Sequence, residues 1–190
     1  VGNDGEPQSM DPHFISTVQT SRVSDDMSLG LLTYGPDGQP VPGAAESWTV
    51  SDDGMTYTFK IRDHNWSDGT PVTAQDFIAG WQRLLDPALG AEYASLLYII
   101  EGAEDVNTGK DGAKLAATAV DDHTLKVKLT APAPYFLAQL THQTAFAIPR
   151  HTVEKYGKDW VKPENIVVNG PYKLVEWVPN VHTKLVKNEE

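Results

Sequence analysis

Between Met55 and Arg62 apolar and polar side chains alternate. Met55, Tyr57, Phe59 and Ile61 share one face, and Thr56, Thr58, Lys60 and Arg62 share the other. This period of two predicts a half-buried strand. A tight turn follows at Trp66-Ser67-Asp68-Gly69-Thr70-Pro71, and there the period changes. Phe77, Ile78, Trp81, Leu84 and Leu85 recur at helical spacing and should face a core. Thr73-Ala74-Gln75-Asp76 opens that helix as a capping box with Asp in place of Glu or Gln. Asp86-Pro87 closes it, because proline biases the residue before it away from the helix. A second alternation, Leu125, Val127 and Leu129 against Lys126 and Lys128, predicts another strand after the turn Asp121-Asp122-His123.

The remaining signals are shorter. Residues 20–32 read as a helix with Val23, Met27 and Leu31 inward and Ser24, Asp25 and Asp26 on the polar side. Residues 92–101 read as a helix stopped by Gly102, and residues 134–140 as one with Pro134 in its first turn. Residues 149–156 read as a helix capped by Gly157. Residues 172–178 and 181–187 form a strand pair around Pro179-Asn180. Pro36-Asp37-Gly38 and Asp52-Asp53-Gly54 are turns, and residues 5–13 are a proline-punctuated loop. The sum is a mixed α/β (α+β) chain, without the regular alternation of a doubly wound parallel sheet.

The 190 residues suffice for one large domain or two small ones with a real core. A formal net charge of −11 argues against nucleic acid and anionic membrane surfaces as partners, since both call for clustered Lys and Arg. The chain has no Cys, which excludes thiol catalysis and a disulfide scaffold. No apolar run approaches a membrane span. Val1 to Glu6 is polar from the start, so an exported protein is expected here in processed form.

Catalytic signatures are missing. Gly109-Lys110 has the wrong glycine spacing for a phosphate loop, and Asp111 stands where a hydroxyl must hold magnesium. The six His residues are scattered, with no pair at i, i+4 to present two nitrogens to a metal, and read as surface or turn residues. Asp52-Asp53 and Asp121-Asp122 suit turn chemistry rather than two carboxylates facing across a sugar. Asp11, before Pro12, reads as a turn residue in the same way. Among the aromatics, Trp81 belongs to the core, and Trp66 and Tyr93 are candidates for a cleft wall. No cofactor or metal is expected.

Several separated blocks resemble the extracytoplasmic solute-binding proteins of peptide import systems, the oligopeptide/dipeptide-binding family. They are Ser9-Met10-Asp11-Pro12-His13, Gly30-Leu31-Leu32 through Pro42-Gly43-Ala44-Ala45-Glu46-Ser47-Trp48, and the strand–turn–helix run to Trp81. Val120-Asp121-Asp122-His123-Thr124-Leu125, Pro132-Ala133-Pro134-Tyr135-Phe136 and Asn169-Gly170-Pro171-Tyr172 complete the set.

The resemblance implies a type II periplasmic-binding-protein fold, a two-lobed clamp with an extra domain against one lobe. Residues 1–30 would begin the first lobe, residues 31–150 would form the extra domain, and residues 151–190 would return to the first lobe. Family members are more than twice as long, so the chain is expected to be an N-terminal fragment, with the second lobe beyond Glu190. Two ligand-contacting places carry over. Ser16, Thr17 and Val18 align with residues that pair with a peptide backbone by strand addition. Tyr93 aligns with a tyrosine facing the bound peptide. The family has an acidic residue where this chain has Ser16, which cannot supply that charge. The implied protein is a monomeric periplasmic carrier that closes on an oligopeptide and docks on the membrane permease of an ABC transporter. Competing readings are a same-fold carrier of a nickel complex or an oligosaccharide, and a glycoside hydrolase.

Overall fold

The computed structural model describes Asn3 and residues 5–190; the polar start at Val1, Gly2 and Asp4 lies outside them. In chain order the elements are α1 (Val18–Met27), β1 (Leu32–Tyr34), β2 (Pro40–Pro42), β3 (Ala45–Val50), β4 (Thr56–Ile61), α2 (Ala74–Leu84), α3 (Ala103–Asn107), β5 (Ala117–Asp121), β6 (Thr124–Lys128), α4 (Phe136–Gln139), α5 (Arg150–Tyr156), β7 (Tyr172–Val178) and β8 (His182–Lys187). Single 3-10 turns at Pro12–Phe14, Ala94–Leu97, Gln143–Ala145 and Gly157–Val161 join them.

The alternating strands behave as their period demands. Tyr57, Phe59 and Ile61 on β4, with Leu125 and Val127 on β6, are buried, and the lysines between them point outward. These strands form the centre of an antiparallel sheet of order β3-β4-β6-β5. The apolar stripe of α2 (Phe77, Ile78, Trp81 and Leu84) is buried in the same core. Each such side chain contributes about 1.5–3 kcal/mol of burial free energy. The Asp76 carboxylate reaches back to the Thr73 amide (2.8 Å) and hydroxyl (3.1 Å), which fixes where α2 begins. Trp81 Nε1 donates to the Ala145 carbonyl at 3.0 Å, so even the polar atom of this core tryptophan has a partner.

A smaller cluster of Met10, Val23, Met27, Val168 and Leu174 forms separately, with Trp177 and Leu185 packed against it. Its buried members come from residues 10–27 and 168–174, whereas those of the large core come from residues 31–147, with Leu29 and Val167 packed against the latter. Glu6 ties the start of the chain to the β7–β8 hairpin, accepting from Trp177 Nε1 and from the Asn180 amide, both at 2.7 Å.

Several expectations need correction. The first helix spans Val18–Met27, because the returning segment occupies the backbone of the next residues. The Gly170 amide donates to the Met27 carbonyl (2.9 Å), and the Asn169 side chain bonds both the amide and the carbonyl of Leu29, each at 3.0 Å. Ser24 is buried rather than on the polar side, since the inward stripe runs Thr20, Val23, Ser24, Met27. Residues 92–101 do not form one helix. The Ala94–Leu97 turn gives way to a bridge between Ile100 and Leu129, and Glu101 bonds the backbone of Lys128 and Ala116. Gly102 does not stop a helix but precedes α3 at φ 81°, where a Cβ would lie 2.0 Å from the Lys114 carbonyl oxygen. Trp66 lines no cleft: it is buried, with Nε1 3.4 Å from Asp76. His13, read as a surface or turn residue, does lie in the Pro12–Phe14 turn but is only 2% exposed.

Candidate functional site

The segment that the resemblance singles out follows a rigid turn. Asp11 Oδ1 accepts from the His13 amide (3.0 Å), and Phe14 N–H bonds the Asp11 carbonyl (3.1 Å), closing the Pro12–Phe14 turn. Ile15, 2% exposed, then plugs the interior in extended conformation (φ −82°, ψ 117°). Ser16 points outward, its hydroxyl donating to Gln8 Oε1 at 3.1 Å. Thr17 is again extended (φ −125°, ψ 148°) and leads into α1. Its hydroxyl lies 2.9 Å from that of Thr20, which in turn accepts from the Gln8 amide. Among the described residues, the amides of Ser16 and Thr17 donate to no backbone carbonyl. Val18 is the first helical residue and 63% exposed, so its backbone is helical rather than strand-like.

Tyr93 lies just before the Ala94–Leu97 turn. It is half-buried, and its ring meets the His142 ring edge-on at a centroid distance of 6.0 Å. Burial holds the His142 imidazole below its ordinary pKa, so at neutral pH it is uncharged, and its Nδ1 sits 3.1 Å from the Thr144 hydroxyl. The Gln143–Ala145 turn that follows packs against the Pro12–Phe14 turn, α1, α2 and the Ala94–Leu97 turn. It is the common neighbour of both candidate places. No hydrogen bond or ring contact joins Tyr93 directly to Ser16, Thr17 or Val18.

A cavity of about 310 Å³ opens beside this turn, between α1, β1 and residues 141–146. Ser21, Asp25, Thr33, Tyr34, His142 and Gln143 contribute to its wall. Burial, with Asp26 alongside, raises the Asp25 carboxyl above its ordinary value, while the hydrogen bond from Ser21 opposes the shift. A larger hollow of about 970 Å³ lies between α1, the start of the chain and the β7–β8 hairpin. Neither hollow is lined by Ser16, Thr17, Val18 or Tyr93.

Sequence reasoning missed the interaction that fixes the Pro12–Phe14 turn. Arg83 of α2 forks onto Asp11, with NH2 2.6 Å from Oδ2 and NH1 3.0 Å from Oδ1. NH1 also lies 2.7 Å from His13 Nδ1. Arginine only donates, so Nδ1 accepts and the proton sits on Nε2 of a neutral ring. Burial, reinforced by the Arg83 charge and opposed by Asp11, lowers the His13 pKa to about 4. One signal was available. Asp76, Gly80 and Arg83 fall on a single helical stripe, and charges at i, i+7 on a buried stripe call for buried partners. Asp76 finds Arg150, whose Nε lies 2.7 Å from its Oδ1.

Among the described residues no three His, Asp or Glu side chains gather as a metal site, and no helix is long and apolar enough to cross a membrane. Residues 39–190 match the profile of the bacterial extracellular solute-binding proteins, family 5 (middle region). The chain belongs to this family, whose members are binding proteins rather than enzymes and act outside the cytoplasm. It is 47% identical over 182 residues to the periplasmic oligopeptide-binding protein OppA of Escherichia coli K12, covering 94% of this chain and 33% of that protein. It is 38% identical over 190 residues to the probable deoxycholate-binding periplasmic protein YgiS of the same organism, covering 98% of this chain and 36% of that one. The crystal structure of Haemophilus influenzae OppA in complex with RPPGFSPFR superposes with a TM-score of 0.95 at 44% identity. That match covers 99% of this chain and 37% of the other. The chain thus spans about a third of the length of these relatives.

Proposed function

We propose that the chain is a portion of the substrate-binding component of an ABC-type peptide importer. It binds oligopeptides outside the cytoplasm, in the periplasm, and delivers them unchanged to a membrane permease. The ligand's main chain pairs with the extended backbone at Ser16 and Thr17, with Val18 contributing as the first residue of α1. Tyr93 packs on the ligand from the other side. Closure of a second lobe about a hinge then buries the peptide. Residues 1–30 and 151–190 belong to one lobe and residues 31–150 to the extra domain. The separation of the small hydrophobic cluster from the large core supports this partition. The protein works as a monomer and without a cofactor.

The observation that carries the reading is the exposed Ser16 between extended Ile15 and Thr17, with the Ser16 and Thr17 amides free of backbone partners among the described residues and Ile15 buried as the anchor. Main-chain pairing at such an edge tolerates any ligand side chain, which suits a carrier of mixed peptides. The test is native mass spectrometry of the complete protein after incubation with a mixed tri- to pentapeptide library. Adducts of intact peptides are expected. A protein that takes up no peptide, or returns cleaved ones, would sink the reading.

A second reading is a same-fold carrier of a different solute. Ser16 favours it, because this residue offers no charge to a peptide's amino group. The likeness to a relative named for deoxycholate binding favours it too. Retention of a bile acid, a nickel complex or an oligosaccharide in preference to the library would select it.

A further inference from the structure

The Asp11–Arg83 fork joins two parts of the chain 72 residues apart. It also bridges the two hydrophobic bodies. Arg83 belongs to α2, whose apolar face fills the large core, and Asp11 follows Met10 of the small one. The Asp11 side chain is 7% exposed and that of Arg83 18%, so water screens the pair poorly. Between Asp11 and Ser16 the chain has little freedom. The Asp11 carboxylate caps the turn, the His13 ring rests against Arg83, and Ile15 is buried.

The structure assigns Arg83 and Asp11 a further role: they are positioning residues for ligand capture, setting where the Ser16–Thr17 backbone stands relative to α2 and the Tyr93 wall. The inference rests on the peptide-carrier reading above. Its physical basis is distance. The Gln143–Ala145 turn touches both candidate places, but it holds the Pro12–Phe14 turn only by packing. The fork, with the Arg83–His13 contact beside it, is the directional link between that turn and α2. A bidentate guanidinium–carboxylate pair fixes orientation as well as distance, which a point charge does not. Strand addition needs each ligand amide to meet its carbonyl at about 2.9 Å, and a displacement of about 1 Å removes those bonds.

The experiment uses the complete protein with trialanine, trilysine and the mixed peptide library as probes. Asp11→Asn keeps an oxygen for the His13 amide and loses the charged fork. Arg83→Lys keeps the charge and loses the second bond. Arg150→Met is the control, since it removes the other ion pair of α2 without touching the segment. Calorimetric titration gives affinity, thermal unfolding gives stability, and amide hydrogen exchange reports residues 15–18 separately from the rest.

Asp11→Asn is expected to weaken peptide binding about tenfold or more and to speed exchange at residues 15–18, with Arg83→Lys intermediate. The control should lose stability and keep its affinity. If Asp11→Asn loses stability but binds within about twofold of wild type, the fork is structural only and the inference is overturned. If the wild-type protein binds no peptide, the carrier reading fails, and hydrogen exchange alone decides the positioning. Acceleration confined to residues 15–18 then supports it, and uniform acceleration refutes it.

Discussion

Both ends of α2 are tied down by a buried carboxylate and an arginine, and the two ties depend on their arginines to different degrees. At the N-terminal end Asp76 lies on the helix itself. It accepts from the Thr73 amide and hydroxyl, from Trp66 Nε1 and from Arg150, whose side chain is 42% exposed. At the other end Asp11 comes from a remote segment and has one local donor, the His13 amide, besides the Arg83 fork. Removing Arg150 leaves Asp76 with three donors. Removing Arg83 leaves Asp11 nearly bare. The number of local N–H and O–H donors around a buried carboxylate therefore sets how much the fold relies on its cation.

The sharpest way to break this comparison is Arg83→Met. It should cost about 3–5 kcal/mol in urea unfolding, because an unpaired carboxylate stays buried. A loss no larger than that of a surface substitution would mean that Asp11 finds other donors.

Next in size is a pH effect confined to the same end. The folded state holds His13 neutral down to a pKa of about 4, whereas the unfolded chain takes up its proton near 6.5. Stability is therefore full above pH 6.5 and falls as the pH drops toward 4, by about 3 kcal/mol in all, then levels off for this group. His64 and His142, also lowered by burial, act in the same direction. The His13 contribution is thus the difference between wild type and His13→Asn, followed by unfolding across that window. Parallel profiles would refute it. Hydrogen bonds within their turns hold the Asp53 and Asp121 carboxyls below the ordinary value, so the stability they add is present above the carboxylate range and is lost only as the pH falls below it.

At the Asp76 end the expected losses are smaller. Arg150→Met should cost about 1–2 kcal/mol, since three donors remain. Thr73→Ala should cost about 1 kcal/mol through loss of the hydroxyl beside Asp76. Thermal midpoints measured side by side rank the two. A loss at Arg150 equal to that at Arg83 would erase the distinction between the ends.

The same contrast marks what could be read from the sequence. Local devices were legible: the β4 and β6 alternation, the Thr73–Asp76 cap, the turns at Asp53 and Asp121, and the β7–β8 hairpin with Asn180 at φ 60°. Each is set by neighbours within a few residues. Strand β3 was missed because it lies at the sheet edge, where only Ala45 of its six residues is buried and no alternation develops. The three-residue strands β1 and β2 are too short to show a period. Residues 92–101 have helical character, but pairing of Ile100 with Leu129 overrides it. The candidate site was reached through resemblance, and its anchor was not, because nothing in Asp11-Pro12-His13 points to an arginine 72 residues away. His13 shows the same limit, since its burial comes from tertiary packing around a turn that looks solvent-facing in sequence.

The stitch between Leu29 and Asn169 has a consequence for how such a chain can be built. These residues are 140 apart in sequence, and one side-chain amide spans them twice. A Cβ at Gly170 would come within 2.4 Å of the Met27 carbonyl carbon, so the two backbones touch where they pass. The chain leaves the small body and comes back to it at nearly the same point. A segment with adjoining ends can be gained, lost or exchanged in a single genetic event without displacing the framework that receives it. A glycine and an asparagine at the seam are the parts such a graft would have to keep.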